Sequence, residues 1–385
     1  MRRLLYFFYT VILAGTTLEG RCQDSVFARK IVDTLAGPYF WGRGYTKEGM
    51  HRAAIFLEQQ FAGLHLQPLA GGGYTQPFSY AVNTFPGKME VTVNHTPLQP
   101  GKDFILAPES RGLDVTARLT PQDSTHFINP AHRLVLVKED KLTWSVAQEV
   151  ADYTAILLDK QRFPATPEQV ELHIDNHFVK DFRAANIAGF VKGTVYPDSF
   201  LVVTAHYDHL GGLGEGTYFP GANDNASGIS LLLSLARYYA VHPQACSIAF
   251  ICFAGEEAGL LGSKYFTEHP LVPLQQIRFL LNLDLEGTGE EGVTVVNATE
   301  YPAAFTALQQ VNAANGYIKA ILPRGKAANS DHYWFSEKGV PAFFMYTMGG
   351  VKAYHDVFDQ PATLPLNEIN DLVSLIKAFF ARLVE

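Results

Sequence analysis

FLVVTAHYDH, residues Phe200 to His209, opens as an unbroken run of apolar and β-branched side chains and ends on a cluster of ionisable ones. A run this short without polar alternation reads as a strand buried on both faces. The same pattern repeats downstream. GISLLLSLARYY (Gly228 to Tyr239) has helical spacing, Ser247 to Phe253 is a second buried strand, Ala258 to Glu268 is helical, and FLLNLDL (Phe279 to Leu285) is a third strand. Buried strands alternating with helices predict an α/β fold: a mostly parallel, mixed central sheet with helices on both faces. Ligands of such sheets gather beyond the carboxyl ends of the strands. His206 ends the first strand, Glu256 and Glu257 follow the second, and Asp284 lies near the end of the third.

Upstream, Val26 to Leu35 and Gly49 to Phe61 have helical spacing and are separated by a Gly-Arg-Gly turn, Gly42 to Gly44. From Tyr74 to about His177 short alternating runs such as MEVTVNH, LDVTARLT and RLVLVKED are broken by proline and glycine, which reads as a β-rich insertion. The expected division is therefore a catalytic α/β unit from residues 24–82 and 183–385, interrupted by a β-rich insertion at 83–182. HIDNH (His173 to His177) reads as strand rather than as a metal-binding helix.

The N-terminus has Arg2 and Arg3, then the apolar stretch Leu4 to Ala14, then small and polar residues. Residues 1–23 are expected to be a signal peptide, with the mature chain exported to the periplasm or the extracellular space and without stable membrane insertion. Cys246 and Cys252 share one apolar run, and a strand would hold them about 20 Å apart, too far for a disulfide. With 47% hydrophobic residues among 385, the chain can bury a large core, which excludes a disordered protein. A net charge of -8 without a basic stripe excludes nucleic acid as the main partner.

Five motifs carry chemistry: HYDH (His206 to His209), GANDNASG (Gly221 to Gly228), FAGEEAGLLGS (Phe253 to Ser263), NLDLEG (Asn282 to Gly287) and YHDVFD (Tyr354 to Asp359). Imidazole and carboxylate ligands suit divalent ions such as zinc. Taking His206, Asp224, Glu257, Asp284 and His355 as ligands gives two neutral imidazoles and three carboxylates, enough for two ions, with Asp224 on its glycine-flanked turn as the candidate bridge. One member of the Glu256 and Glu257 pair then stays free as a general base, and a turn at Gly255 is needed to bring both to one site. Asp208 is expected to accept the second ring N–H of His206 and so fix its tautomer, and Asp359 to do the same for His355. His209, next to the site, is expected to support a ligand from behind or to be structural. Arg324 and Lys326 read as solvated loop charges; either one, inside the pocket, would bind a substrate carboxylate.

In order and approximate spacing these motifs resemble the zinc aminopeptidases of the M28 peptidase family, over about half the chain from Asn186 to the C-terminus, including SDHYWFSEKGVPA (Ser330 to Ala342). The resemblance implies two Zn2+ per chain, one held by His206 and Asp284, the other by Glu257 and His355, with Asp224 bridging and Glu256 as the base. It also implies that the Tyr354 hydroxyl stabilises an oxyanion, that the segment with His332 forms a pocket wall contacting substrate, and that peptides are the substrates. The insertion is similar to the protease-associated insert of larger members. Three other readings are open: a single-zinc glutaminyl cyclase of the same fold, a carboxypeptidase-type member, and a non-catalytic binding module.

Overall fold

The computed structural model describes residues 24–69 and 71–384; the segment read as a signal peptide, residues 1–23, lies outside them. A nine-stranded mixed sheet forms the centre. Its strands in chain order are β1 (Gln67–Pro68), β2 (Thr75–Thr84), β3 (His177–Val191), β4 (Tyr196–His206), β5 (Cys246–Phe253), β6 (Ile277–Leu283), β7 (Gly292–Val296), β8 (Ile321–Pro323) and β9 (Ala342–Met348). In space β5, β4, β6 and β9 lie side by side and parallel. β3 joins β5 antiparallel on one side, and β7 joins β9 antiparallel on the other, with β8 outermost.

The apolar runs explain why both faces are covered. Leu201, Val203, Ile248 and Phe250 point to one side, into a core shared with helix 24–35 and helices Gly49–Gly63, Gly228–Val241, Pro302–Asn315 and Ile369–Val384. Their neighbours Phe200, Val202, Ala249 and Ile251 point to the other side, against Phe266 of helix Leu261–Glu268 and Phe335 of helix His332–Glu337. Each fully buried Leu, Ile or Phe contributes about 1.5–3 kcal/mol of transfer free energy, so continuous apolar strands stabilise only a sheet with both faces covered. The α/β sheet expected from sequence is thus the one observed. Cys246 and Cys252 sit near opposite ends of β5, both as buried free thiols.

β2 and β3 stay paired out to Thr84 and His177. Between them the chain builds a four-stranded and a five-stranded sheet, around a core that includes Val91, Phe104, Leu136, Ile156 and Leu172. That core also takes in Leu210, Leu213, Phe219 and Val357, from loops beside the motif residues, so the β-rich stretch packs directly against the site. His173 lies within strand Gln169–Ile174 and its Nδ1 is 3.1 Å from Asp114, an ordinary cross-strand pair. No helix among the described residues is long and apolar enough to cross a membrane.

Candidate metal centre and active site

The motif residues converge at the carboxyl edge of the parallel strands. His206 is the last residue of β4 and Asp284 follows β6. Glu256 and Glu257 follow β5 through Gly255, whose φ of 69° makes the turn that brings both carboxylates to one place. Asp224 lies in the turn Ala222–Ser227 that leads into helix Gly228–Val241, and the Asp224–Asn225 peptide is cis. His355 comes from the loop after β9.

These side chains form two sets that share Asp224. Nε2 of His206 is 3.4 Å from Asp224 Oδ1 and 3.3 Å from Asp284 Oδ1. Nε2 of His355 is 3.1 Å from Asp224 Oδ2 and 3.1 Å from Glu257 Oε2. A tetrahedral ion with ligands at about 2.0–2.2 Å holds them about 3.3–3.5 Å apart, so the spacing within each set suits a divalent metal. Asp224 turns one oxygen to each set, the arrangement a bridging carboxylate needs. Glu256 also lies within ligand range of His206 and Glu257, and it lines the open pocket.

Neighbouring groups fix these orientations, and two of them differ from expectation. Nδ1 of His206 is 3.2 Å from the backbone carbonyl of Asp208 but 3.8 Å from its carboxylate. The Asp208 carboxylate instead accepts the backbone N–H groups of Glu256, at 3.2 Å, and Glu257, at 3.3 Å, so it shapes the glutamate turn and leaves the histidine to its own carbonyl. Asp359 does not reach His355 as a hydrogen-bond partner either. Its carboxylate accepts the N–H groups of Asn223 and Asp224, at 2.8 and 3.0 Å, and so clamps the bridging turn. The partner of His355 is the carbonyl of Trp144, 2.9 Å from Nδ1, while Trp144 N–H donates back to the His355 carbonyl, also at 2.9 Å. Nδ1 of both histidines therefore donates to a carbonyl, and Nε2 is turned to the carboxylates.

His209 and several polar residues given no role of their own by the sequence complete the site. Ser330 donates to Asp284 Oδ2 at 3.0 Å and is held by Asn282, which accepts from Thr204 on β4. His209 Nδ1 is 2.7 Å from Glu257 Oε1, leaving Oε2 for His355. Asn225 donates to the Leu283 carbonyl, and Asn223 and Ser227 accept N–H groups from Gly287 and Glu286, so the GANDNASG and NLDLEG motifs are knitted together.

Arg43, from the Gly-Arg-Gly turn, is fully buried beneath this turn. Its guanidinium donates to the carbonyls of Tyr207, Leu35, Pro220, Gly221 and Asp224 at 2.8–3.0 Å. Burial lowers its pKa to about 10, while Asp224, Asp359, Asp208 and Glu257 oppose the loss of its proton. Gly221 has φ 58°, and a Cβ there would collide with the Asp224 carbonyl and the guanidinium. This is why the turn needs glycine.

Over the ligands opens a cavity of about 290 Å³. Phe344 and Tyr346 of β9 line it together with Leu285, Arg324, Asn329 and Tyr354. The Tyr354 ring stacks on His355 with centroids 4.0 Å apart. His332, expected on the pocket wall, is buried behind it against Phe344, at 5.4 Å between centroids, and burial lowers its pKa to about 4. The helix His332–Glu337 turns that ring towards the core, and Asn329, three residues earlier, reaches the cavity in its place. Lys326 pairs with Glu337 as a surface charge, whereas Arg324 lines the cavity.

Electrostatically the carboxylates divide. Burial pushes Glu256 well up, reinforced by Glu257 and Asp284 although His206 opposes it. Burial also works on Asp224 and Glu257, but there the histidine contacts outweigh it and hold Asp224 well down and Glu257 at about 2. Burial acts to lower His355, yet Glu257 and Asp224 raise it to about 11.

The family model for peptidase family M28 matches residues 186–380, half of the chain. The chain belongs to peptidase family M28. Aminopeptidase YwaD of Bacillus subtilis is 32% identical to this M28 chain over 190 residues, which take in 48% of this chain and 40% of YwaD, well short of that relative's whole length. A probable zinc metalloprotease of Pyricularia oryzae is 36% identical over 114 residues, 29% of this chain and 23% of its own. Among solved structures, BSAP, a zinc aminopeptidase from Bacillus subtilis, superposes with a TM-score of 0.67 at 18% identity, covering 93% of this chain and 94% of that one. At that identity the likeness speaks for the shared fold.

Replacing Arg43 by Lys leaves most of the five carbonyls without a donor, because one ammonium cannot reproduce the guanidinium fork. Arg43→Met removes the charge from among four carboxylates. Urea unfolding of the metal-free protein is expected to show a loss of about 3–5 kcal/mol for Arg43→Met, only partly restored in Arg43→Lys. Midpoints equal to the parent would contradict the clamp.

Proposed function

We propose that this chain is an exported, zinc-dependent exopeptidase of the aminopeptidase type, releasing N-terminal residues from peptides with two zinc ions per chain. Asp224 carries the reading: its two oxygens address different histidines, each accompanied by a second carboxylate. His206, Asp224 and Asp284 would hold one ion, and His355, Glu257 and Asp224 the other. Three carboxylates against two dications leave one positive charge, favourable for an attacking water and a developing oxyanion. Zinc in such a site polarises the scissile carbonyl and lowers the pKa of bound water.

The chain's own side chains supply the proton transfers. Glu256, in the cavity wall, takes a proton from the attacking water and returns it to the leaving amine. Tyr354, stacked on His355 at the cavity rim, would donate its hydroxyl to the oxyanion. Relatives described as an aminopeptidase and as probable zinc metalloproteases support this reading. A complete second ligand set favours it over a single-zinc cyclase. Residues 83–182 are read as an insertion into a catalytic unit made of 24–82 and 183–385, supported by the separate sheets and core of that stretch. Export rests on the charged and apolar pattern of residues 1–23.

Aminoacyl-nitroanilides with free and with blocked N-termini, assayed with and without chelator, test the activity. Chelator-sensitive cleavage of the free forms is expected, and cleavage of blocked forms alone would refute the aminopeptidase assignment. Glu256→Gln is expected to keep its zinc and lose about 10²–10⁴-fold or more in kcat. Asp224→Ala is expected to lose zinc, so an unchanged metal content by elemental analysis would count against the bridge.

In the metal-free protein burial acts to lower both histidines, but the surrounding carboxylates raise His206 well above its ordinary value and His355 to about 11. Both are therefore protonated at pH 7, and an ion must displace those protons. Zinc uptake at pH 7 should release about two protons per chain, and affinity should fall as pH falls. Calorimetry in buffers of different ionisation enthalpy reads this number directly; a value of zero would overturn the protonation of the two histidines in the metal-free protein.

A further inference from the structure

The cavity above the ligands is lined by groups of opposite charge. Asp224, Glu256 and Asp284 are among the lining residues, and the one permanently charged cation among them is Arg324. Arg324 directly follows β8, and its backbone is tied down on both sides: its N–H donates to the Val295 carbonyl at 2.8 Å and its carbonyl accepts from Ala298 at 3.1 Å. Its guanidinium donates through Nη1 to the Tyr346 hydroxyl at 3.3 Å, and Tyr346 is itself part of the cavity wall. That contact uses one of five N–H donors, and the side chain is otherwise exposed. Nearby Lys326 is drawn away by Glu337. At about 290 Å³ the cavity is close in size to the smallest ligand pockets, about 300–1,000 Å³, and it opens to solvent.

We infer that Arg324 is a specificity-determining residue that receives a carboxylate of the substrate inside this cavity. The inference rests on the peptidase reading of the same site and adds the substrate class: peptides whose free ammonium lies among the carboxylates of the cavity and whose carboxylate meets the guanidinium. That carboxylate is either the C-terminus of a dipeptide or the side chain of an acidic N-terminal residue. Both present the same planar acceptor to the same fork.

The test compares each dipeptide with its C-terminal amide, and glutamyl- with glutaminyl-nitroanilide, on the zinc-loaded parent, Arg324→Ala and Arg324→Lys. The parent is expected to prefer the carboxylate form of one pair. The preference in kcat/KM should fall roughly tenfold or more in Arg324→Ala and be partly restored in Arg324→Lys. The pair that responds identifies the source of the carboxylate. A preference that is absent, or that survives Arg324→Ala unchanged in both pairs, overturns the inference while leaving the peptidase reading intact. Calorimetric binding of the same dipeptides and amides to zinc-loaded Glu256→Gln, with and without Arg324→Ala, decides the point without turnover. Failure of hydrolysis would then be separable from failure of carboxylate recognition.

Discussion

A buried guanidinium holds this site together. Arg43 has no carboxylate partner of its own; it binds backbone carbonyls from three separate segments and neutralises four acids at longer range. A cation so placed does two jobs that a neutral residue could not combine. It satisfies the carbonyls of a turn too irregular to satisfy them itself, and it makes a dense group of carboxylates tolerable in a buried setting. The Gly-Arg-Gly turn, distant in sequence from every metal-ligating candidate, is therefore a precondition for the shape of the Asp224 turn.

The polar scaffold around it works by assigning each atom one task. Oδ1 and Oδ2 of Asp224 face different histidines, Oε1 and Oε2 of Glu257 face different histidines, and Asp284 divides its oxygens between His206 and Ser330. Since each carboxylate is held at both ends, little conformational freedom remains to be lost when a cation enters. The rigid carboxyl edges of four parallel strands give that precision its base.

Much of this was legible in the sequence, for identifiable reasons. Apolar runs such as Phe200–Ala205 can be satisfied only in a doubly covered sheet, so the fold class and the edge where function gathers followed from periodicity. The ligand candidates stood on glycine-rich turns after those runs, and the structure brings all five together with Glu256. What escaped was anything carried by the backbone. Asp208 and Asp359 were assigned to histidines on proximity in sequence, but amide groups reached their carboxylates first, and carbonyls took the histidines. Arg43 looked like a turn residue because its partners are carbonyls, which leave no trace in side-chain identity. His332 and Asn329 exchanged roles because a short helix begins between them and its phase is not readable from so few residues.

The two ligand sets also differ in how locally they are built. His206, Asp224 and Asp284 all belong to the central sheet and the helix beside it. His355 is locked by Trp144, 211 positions earlier and within the β-rich stretch: its ring Nδ1 donates to the Trp144 carbonyl, and the Trp144 backbone N–H donates to the His355 carbonyl. One half of the centre can thus take shape as soon as the sheet does, while the other waits for a distant segment to dock. A chain in which the β-rich stretch has not folded would lack the backbone groups that fix His355, and one of the two ligand sets would be incomplete.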